Sequence, residues 1–412
     1  MNRNRSFKSV AATDKNNNWD KLIVRNGELY SRKDEVRSLF ERDYTRILHS
    51  LAYRRLKHKT QVFYNIDNDH ICTRMEHVAH VDSVSATIAK NLGLNYELTK
   101  AIAIGHDLGH APFGHSGEKV ISELSEEHLG IKFWHEKNGL RFVDEIELLE
   151  DDYRDYANLN LTYAVRDGII SHCGEVDENG LKPREEFIDL NDFNEPGEFQ
   201  PITWEGCVVK ISDKIAYVGR DIEDAICLGF LNKDLETRLK MMARINDQKA
   251  INTTVIMHNL IVDICENSSP GAGICLSDRY LKQLKEIKDF NYEYIYKHKR
   301  LDAFKDYSAM IIKNIFGILL DAYDESHTWD KLNKLSRQSE TLVSSFSKWL
   351  ARYCDNEIVP EGSLHDLSLS CHNKKVYRKL EQKEIYIQAI LDYISGMTDR
   401  FAIKIFNEFL VY

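Results

Sequence analysis

Along much of this chain the apolar residues recur at steps of three and four, with few of the alternating β-branched runs that mark strands, and that spacing is one face of an α-helix. In DEVRSLFERDYTRILHSLAYRRL, Val36, Leu39, Phe40, Ile47, Leu48 and Leu51 keep this rhythm behind Asp34, predicting a helix capped by that carboxylate. A second helix is predicted from His77, where Val81, Val84, Ile88 and Leu92 follow in register. In a third, from about Cys207 to Leu228, one face carries Val208, Ile211, Ile215, Val218, Ile222 and Ile226. Six prolines in 412 residues leave long helices uninterrupted, so the fold class expected is all-α.

Two stretches break the pattern. Residues 174–203 are acidic, hold three prolines and predict a long irregular insertion. ENSSPGAGI, residues 266 to 274, separates the helical middle from a carboxy-terminal helical region. The organisation expected is a polar amino-terminal segment (1–30), a core (31–265) interrupted by the insertion at 174–203, and a carboxy-terminal helical region (266–412) packed on it. No internal repeat or low-complexity tract is visible.

A hydrophobic content of 43% suffices for a large buried core. Acidic residues outnumber basic ones 65 to 55, and the net charge of −10 gives no whole-chain argument for nucleic acid. Eight cysteines are scattered without a CxxC pair, which predicts reduced thiols in a cytoplasmic protein. The amino terminus lacks the apolar stretch of a signal peptide, and no window approaches a membrane span, so no membrane association is expected.

The chemistry concentrates in histidine. Eight of the sixteen lie between His70 and His135, so the enrichment belongs to a region. In AIAIGHDLGHAPFGHSGE an apolar run delivers His106 and Asp107 together at a helix end, and Gly109 and Pro112 oppose simple continuation. Side chains one residue apart diverge by about 100° on a helix, so one metal takes both only near a helix end, and two further ligands must come from elsewhere. His77 and His80 share one helical face, and Asp213, Tyr217, Asp221 and Asp224 form a polar stripe opposite the apolar face of the third helix. A core histidine or a solvated acidic face would also satisfy those positions. Mixed imidazole and carboxylate donors suit manganese, iron, cobalt, nickel or zinc better than calcium.

Seven blocks in order carry a resemblance: RDYTRILHSLAYRRLKHKTQVF, TRMEHVAHV, HDLGHAPFGHSGE, FWHEKNGLR, DGIISH, EGCVVKISDKIAYVGRDIEDA and DYISGMTDRFA. Together they resemble the HD-domain phosphohydrolases, and among these the dGTP and related deoxynucleotide triphosphohydrolases. The resemblance implies an all-helical HD-domain catalytic core at 31–265. It selects His77, His106, Asp107 and Asp213 as metal ligands, with His80 left as an ordinary helix residue. It implies His115 and Glu118 as a catalytic pair, and His110 and His135 as further active-site histidines that contact the phosphates, with a catalytic proton role for His135 left open. Arg74 and Lys214 are implied to hold the phosphate chain, and Tyr217, Asp221 and Gln61 to read the deoxyribose.

The activity so implied is hydrolysis of dGTP, or of dNTPs more broadly, to deoxynucleoside and triphosphate. A transition-metal dication is the implied cofactor, with magnesium carried on the substrate phosphates. A homo-oligomer, tetramer or hexamer, is implied as well, with a regulatory dNTP or single-stranded DNA as candidate partner. The basic stretch Tyr53, Arg54, Arg55, Lys57, His58 and Lys59 reads equally as a solvated helix end or as a contact for substrate or nucleic acid. Two competing readings keep the HD blocks: hydrolysis of another nucleotide or phosphoester, and a nucleotide or single-stranded nucleic-acid sensor without turnover.

Overall fold

The computed structural model describes residues 6–29, 34–64, 68–151, 153–173, 179–243, 251–336 and 339–409. Part of the polar amino-terminal segment and the first five residues of the insertion, 174–178, lie outside them. The described chain is all-α apart from one short antiparallel ribbon, Leu148–Glu150 with Tyr156–Asn158. It divides into two compact units that interleave along the sequence. The first comprises Met1–Leu48, Gln61–Asp107 and Asn160–Asp302, and the second His49–Thr60, Leu108–Leu159 and Ala303–Tyr412.

The first unit is organised by helices Arg74–Leu92 and Trp204–Cys227, which pack on each other and on Tyr96–Gly105. The predicted apolar stripes are the contact faces: Val84, Ile88 and Leu92 join Val208, Ile211, Ile215, Val218 and Ile222 in one buried cluster. At about 25 cal/mol per Å² of apolar area removed from water, such faces supply most of the drive for pairing. The Arg74–Leu92 helix starts three residues before His77, and Glu76 accepts the Thr73 amide at 2.8 Å to cap it. Helix Tyr163–Ser171 crosses Tyr96–Gly105 at close range, because a Cβ on Gly168 would come within 2.6 Å of the Ile102 side chain.

One prediction fails locally. The helix expected behind Asp34 begins at Leu39, where Ser38 and Glu41 cap reciprocally: the Glu41 amide donates to Ser38 Oγ at 3.1 Å and the Ser38 amide to Glu41 Oε2 at 3.0 Å. Val36 is therefore not a core position but 93% exposed. A break at Ser50, whose hydroxyl accepts the Tyr53 amide, starts a separate short helix, Leu51–Arg55.

Residues 179–203 run without α-helix, with one 3-10 turn at Leu190–Asp192. They are tied to the Tyr163–Ser171 helix through its buried Asp167, which accepts from Arg184 and from the Ile202 amide, the latter at 2.8 Å. The DGIISH block thus owes its Asp to a structural anchor. The break at 266–274 falls inside the first unit, between helices Thr253–Asn267 and Asp278–Asn291.

In the second unit, helix Gly114–Leu129 packs on Lys383–Ser395, and Glu340–Tyr353 packs on Ser363–Leu369, Lys383–Ser395 and Asp399–Glu408. Arg141 grips buried Asp392 through Nε and Nη2, and the Tyr377 hydroxyl donates to the same carboxylate at 2.9 Å. The basic stretch splits between surface and interior. Arg54, Lys57 and His58 are exposed, Arg55 pairs with Glu147, and Lys59 is buried. No helix among the described residues is long and apolar enough to cross a membrane.

Candidate metal centre and histidine cluster

In the first unit, helix Tyr96–Gly105 ends on a buried apolar run and delivers His106 as its C-cap. His106 Nδ1 lies 2.6 Å from the Ala103 carbonyl oxygen, so that nitrogen carries the proton and Nε2 is left as the lone-pair nitrogen. Nε2 is buried and has no hydrogen-bond partner among the described residues. Burial, set against the pull of Asp107, holds the ring down at about 4, so the imidazole is neutral at physiological pH, as a metal ligand requires.

His77, one turn into the Arg74–Leu92 helix, places Nε2 2.9 Å from Asp213 Oδ1, and His106 Nε2 stands 3.8 Å from the same oxygen. One donor atom from each of the three lies within 4.8 Å of the others. Burial opposes charge on His77, but the Asp213 hydrogen bond and the charges of Asp213 and Asp107 outweigh it and raise its pKa. Burial likewise opposes charge on Asp213, but His77 and His106 overcome it and hold that carboxyl at about 2. The pair therefore shares a proton that a dication would displace.

Asp107 borders this group, with Oδ1 3.5 Å from His106 Nε2 and Oδ2 3.9 Å from His77 Nε2, while Oδ2 also accepts from Arg74 Nη1 at 2.9 Å. Arg74 is buried, and its Nε and Nη2 find no partner among the described residues. Gln61 is half-buried with its Oε1 likewise unpartnered.

The polar stripe divides in use. Lys214 is buried beside Asp213, and Tyr217 packs half-buried against the apolar cluster. Asp221 accepts from the Tyr296 hydroxyl at 2.5 Å. Burial drives the Asp221 carboxyl up to about 7, against that hydrogen bond. Asp224 instead accepts the Cys72 amide at 2.9 Å and so fixes the chain entering the Arg74–Leu92 helix. His80 is half-buried on that helix and outside the convergence.

The second unit gathers the other histidines around Glu118. Its Oε1 accepts the His135 amide at 2.9 Å and lies 3.0 Å from His135 Nδ1, while its Oε2 is 3.3 Å from His115 Nδ1. The His110 ring stacks on His135 with centroids 3.7 Å apart and planes 18° apart. Burial pushes the Glu118 carboxyl up, but the His135 charge, the hydrogen bonds from His115 and His135 and the charge of His110 prevail and hold it well below the carboxylate range. His115 is the exposed member of the group.

Comparison with known proteins agrees with this frame. The HD domain family matches residues 74–217. A relative from Clostridium tetani is 32% identical over 381 residues, which span 92% of this chain and 87% of the relative. One from Caldanaerobacter subterraneus is 31% identical over 91% of this chain and 86% of its own, and one from Rickettsia rickettsii 30% identical over 93% and 94%. Each of the three is named a deoxyguanosinetriphosphate triphosphohydrolase-like protein. The chain belongs to the HD-domain dGTPase/dNTPase family. As a member of this HD family it carries imidazole and carboxylate clusters suited to a divalent metal, the equipment of a metal-dependent nucleotide phosphohydrolase.

Two residues near these sites were not singled out from the sequence. His172 is buried with its ring 5.0 Å from His106, and it forms a second close group with His106 and Asp107. It stands in the DGIISH block, which is the signal that could have found it. Tyr296 sits in the aromatic run NYEYIY, where nothing in the spacing sets it apart from its neighbours.

Proposed function

We propose that this protein hydrolyses dGTP, or deoxynucleoside triphosphates more broadly, to the deoxynucleoside and inorganic triphosphate. The observation that carries the reading is the convergence of His77, His106 and Asp213 around a buried, neutral and unpartnered imidazole nitrogen. That donor set fits a transition-metal dication such as manganese, iron, cobalt, nickel or zinc, with Asp107 as the fourth ligand. A cation held there supplies positive charge to phosphate oxygens and acidifies a nearby water.

The side chains supply the rest. Arg74 is anchored to Asp107 through Nη1, and its two unpartnered nitrogens suit forked donation to phosphate oxygens. Lys214 adds a compact positive charge. Tyr217 offers an apolar wall against which a 2′-hydroxyl would be excluded, and Asp221 and Gln61 offer acceptors for a sugar hydroxyl. Glu118 orients His115 and His135 through their Nδ1 atoms, and His115 takes or delivers the proton. His110, stacked on His135, completes this group as a phosphate contact. The names of the relatives support the deoxynucleotide substrate.

The test incubates manganese-supplemented protein with each dNTP and rNTP, alone and with a second dNTP present, and resolves the products. Triphosphate and deoxynucleoside are expected from dGTP or several dNTPs, and Asp213→Ala should lose bound metal and turnover together. Release of pyrophosphate or phosphate instead, or equal cleavage of rNTPs, would refute the assignment. Binding without turnover under every metal would favour the sensor.

A further inference from the structure

The segment Leu108–Phe113, which joins the histidine-rich block to helix Gly114–Leu129, has no hydrogen-bonding repeat of its own. Its last residue, Phe113, is buried in the left-handed region at φ 64°, an unfavourable conformation for a bulky side chain. The N-cap residue, Phe113, makes no side-chain hydrogen bond to the helix that follows. Something outside the segment must therefore hold it, and within the second unit three buried side chains do so.

Asp399, the first residue of helix Asp399–Glu408, accepts the Phe113 amide at 2.7 Å on one carboxylate oxygen and the Thr60 amide at 2.8 Å on the other. Lys59, next to Thr60, donates to the His110 carbonyl and to the Ser395 carbonyl, the latter at 3.0 Å. Asn138 donates to the Gly109 carbonyl at 2.7 Å. Asp399 and Lys59 are only 4% and 2% exposed, so water cannot replace either set of hydrogen bonds. Gly109, His110 and Phe113 are thus pinned through their backbone.

We propose that Asp399 and Lys59 are positioning residues for the hydrolytic reaction: they fix the backbone at His110 and Phe113, and so set the poses of His110, His115 and Glu118 without touching substrate. This explains a use for the DYISGMTDRFA block and for the end of the basic stretch. It rests on the hydrolase reading above. A displacement of about 1 Å in a reacting group can cost roughly a hundredfold in rate, so the effect should be large and confined to turnover.

The test uses the full-length, metal-loaded protein with Asp399→Asn, which keeps one acceptor oxygen and presents an NH2 group to an amide donor. A second variant, Lys59→Met, keeps the buried stem and serves if the first does not fold. Amide hydrogen exchange over residues 108–114 should quicken by about tenfold or more. Turnover per active site, counted by binding of a non-hydrolysable dNTP analogue, should fall about 10- to 100-fold with KM within about threefold. Faster exchange with unchanged turnover per site would reduce the pair to fold stabilisers and overturn the proposal, as would unchanged exchange. If the unsubstituted protein cleaves no nucleotide, the hydrolase reading and the catalytic claim fall together, whereas the exchange measurement still decides whether these residues hold the loop.

Discussion

At the scale of single residues, Asp221 makes the sharpest prediction. Its carboxyl, ordinarily at 3.8, is driven up by burial to about 7 in the folded chain. The folded state then binds a proton that the unfolded state has released. This group's contribution to stability is therefore fully present below about pH 4 and falls as pH rises toward 7, by up to ~1.4 kcal/mol per pH unit. Asp221→Asn keeps an acceptor for the Tyr296 hydroxyl and removes that slope. In urea unfolding of chelator-treated protein, the variant should gain on the parent between about pH 5 and 7.5, and parallel curves would contradict the assignment. His77, His106 and Asp213 were legible in the sequence because each stands in a motif block, and the fold brings their donor atoms together. Tyr296 was not, because its partner lies 75 residues away and only tertiary packing joins them.

Among the elements, periodicity found helices Arg74–Leu92 and Trp204–Cys227, each with one face buried, and it erred where a polar residue offered a plausible cap too early. Asp34 and Ser38 both precede the apolar rhythm, but only Ser38 has a glutamate three residues on to answer it, and the helix starts there. The close approaches were invisible for another reason: they depend on what is missing. A Cβ on Gly109 would stand 2.1 Å from the Gly139 nitrogen and from the His135 carbonyl oxygen, both of them backbone atoms that cannot swing aside. Gly109→Ala should therefore force the segment away from helix His135–Arg141. We expect a loss of more than about 2 kcal/mol in denaturant unfolding, with the His110–His135 stack disturbed. A loss within about 0.5 kcal/mol would show that the approach is looser than described.

For the whole molecule, metal uptake and protonation are one equilibrium. The raised pKa of His77 means that the metal-free protein keeps a proton on the His77–Asp213 pair to higher pH than the unfolded chain does, and that proton contributes stability which disappears as pH climbs through the raised value. A dication competes for the same atoms, so its affinity should weaken as pH falls and its binding should release up to one proton. Calorimetric titration with manganese in two buffers of different ionisation enthalpy reads this directly: the apparent enthalpies should differ, and identical values would place the proton elsewhere. The net charge of −10 predicted none of this, since the relevant charges are a few side chains out of water.

The interleaving of the two units also sets a schedule for biosynthesis. Lys59 leaves the ribosome before its partner, for the Ser395 carbonyl that it serves is 336 residues downstream. At roughly 5 to 20 residues per second that partner arrives about twenty seconds to a minute later. Until then a lysine destined for the interior must wait hydrated, and the nascent polypeptide cannot secure the Leu108–Phe113 segment before Ser395 and Asp399 have emerged.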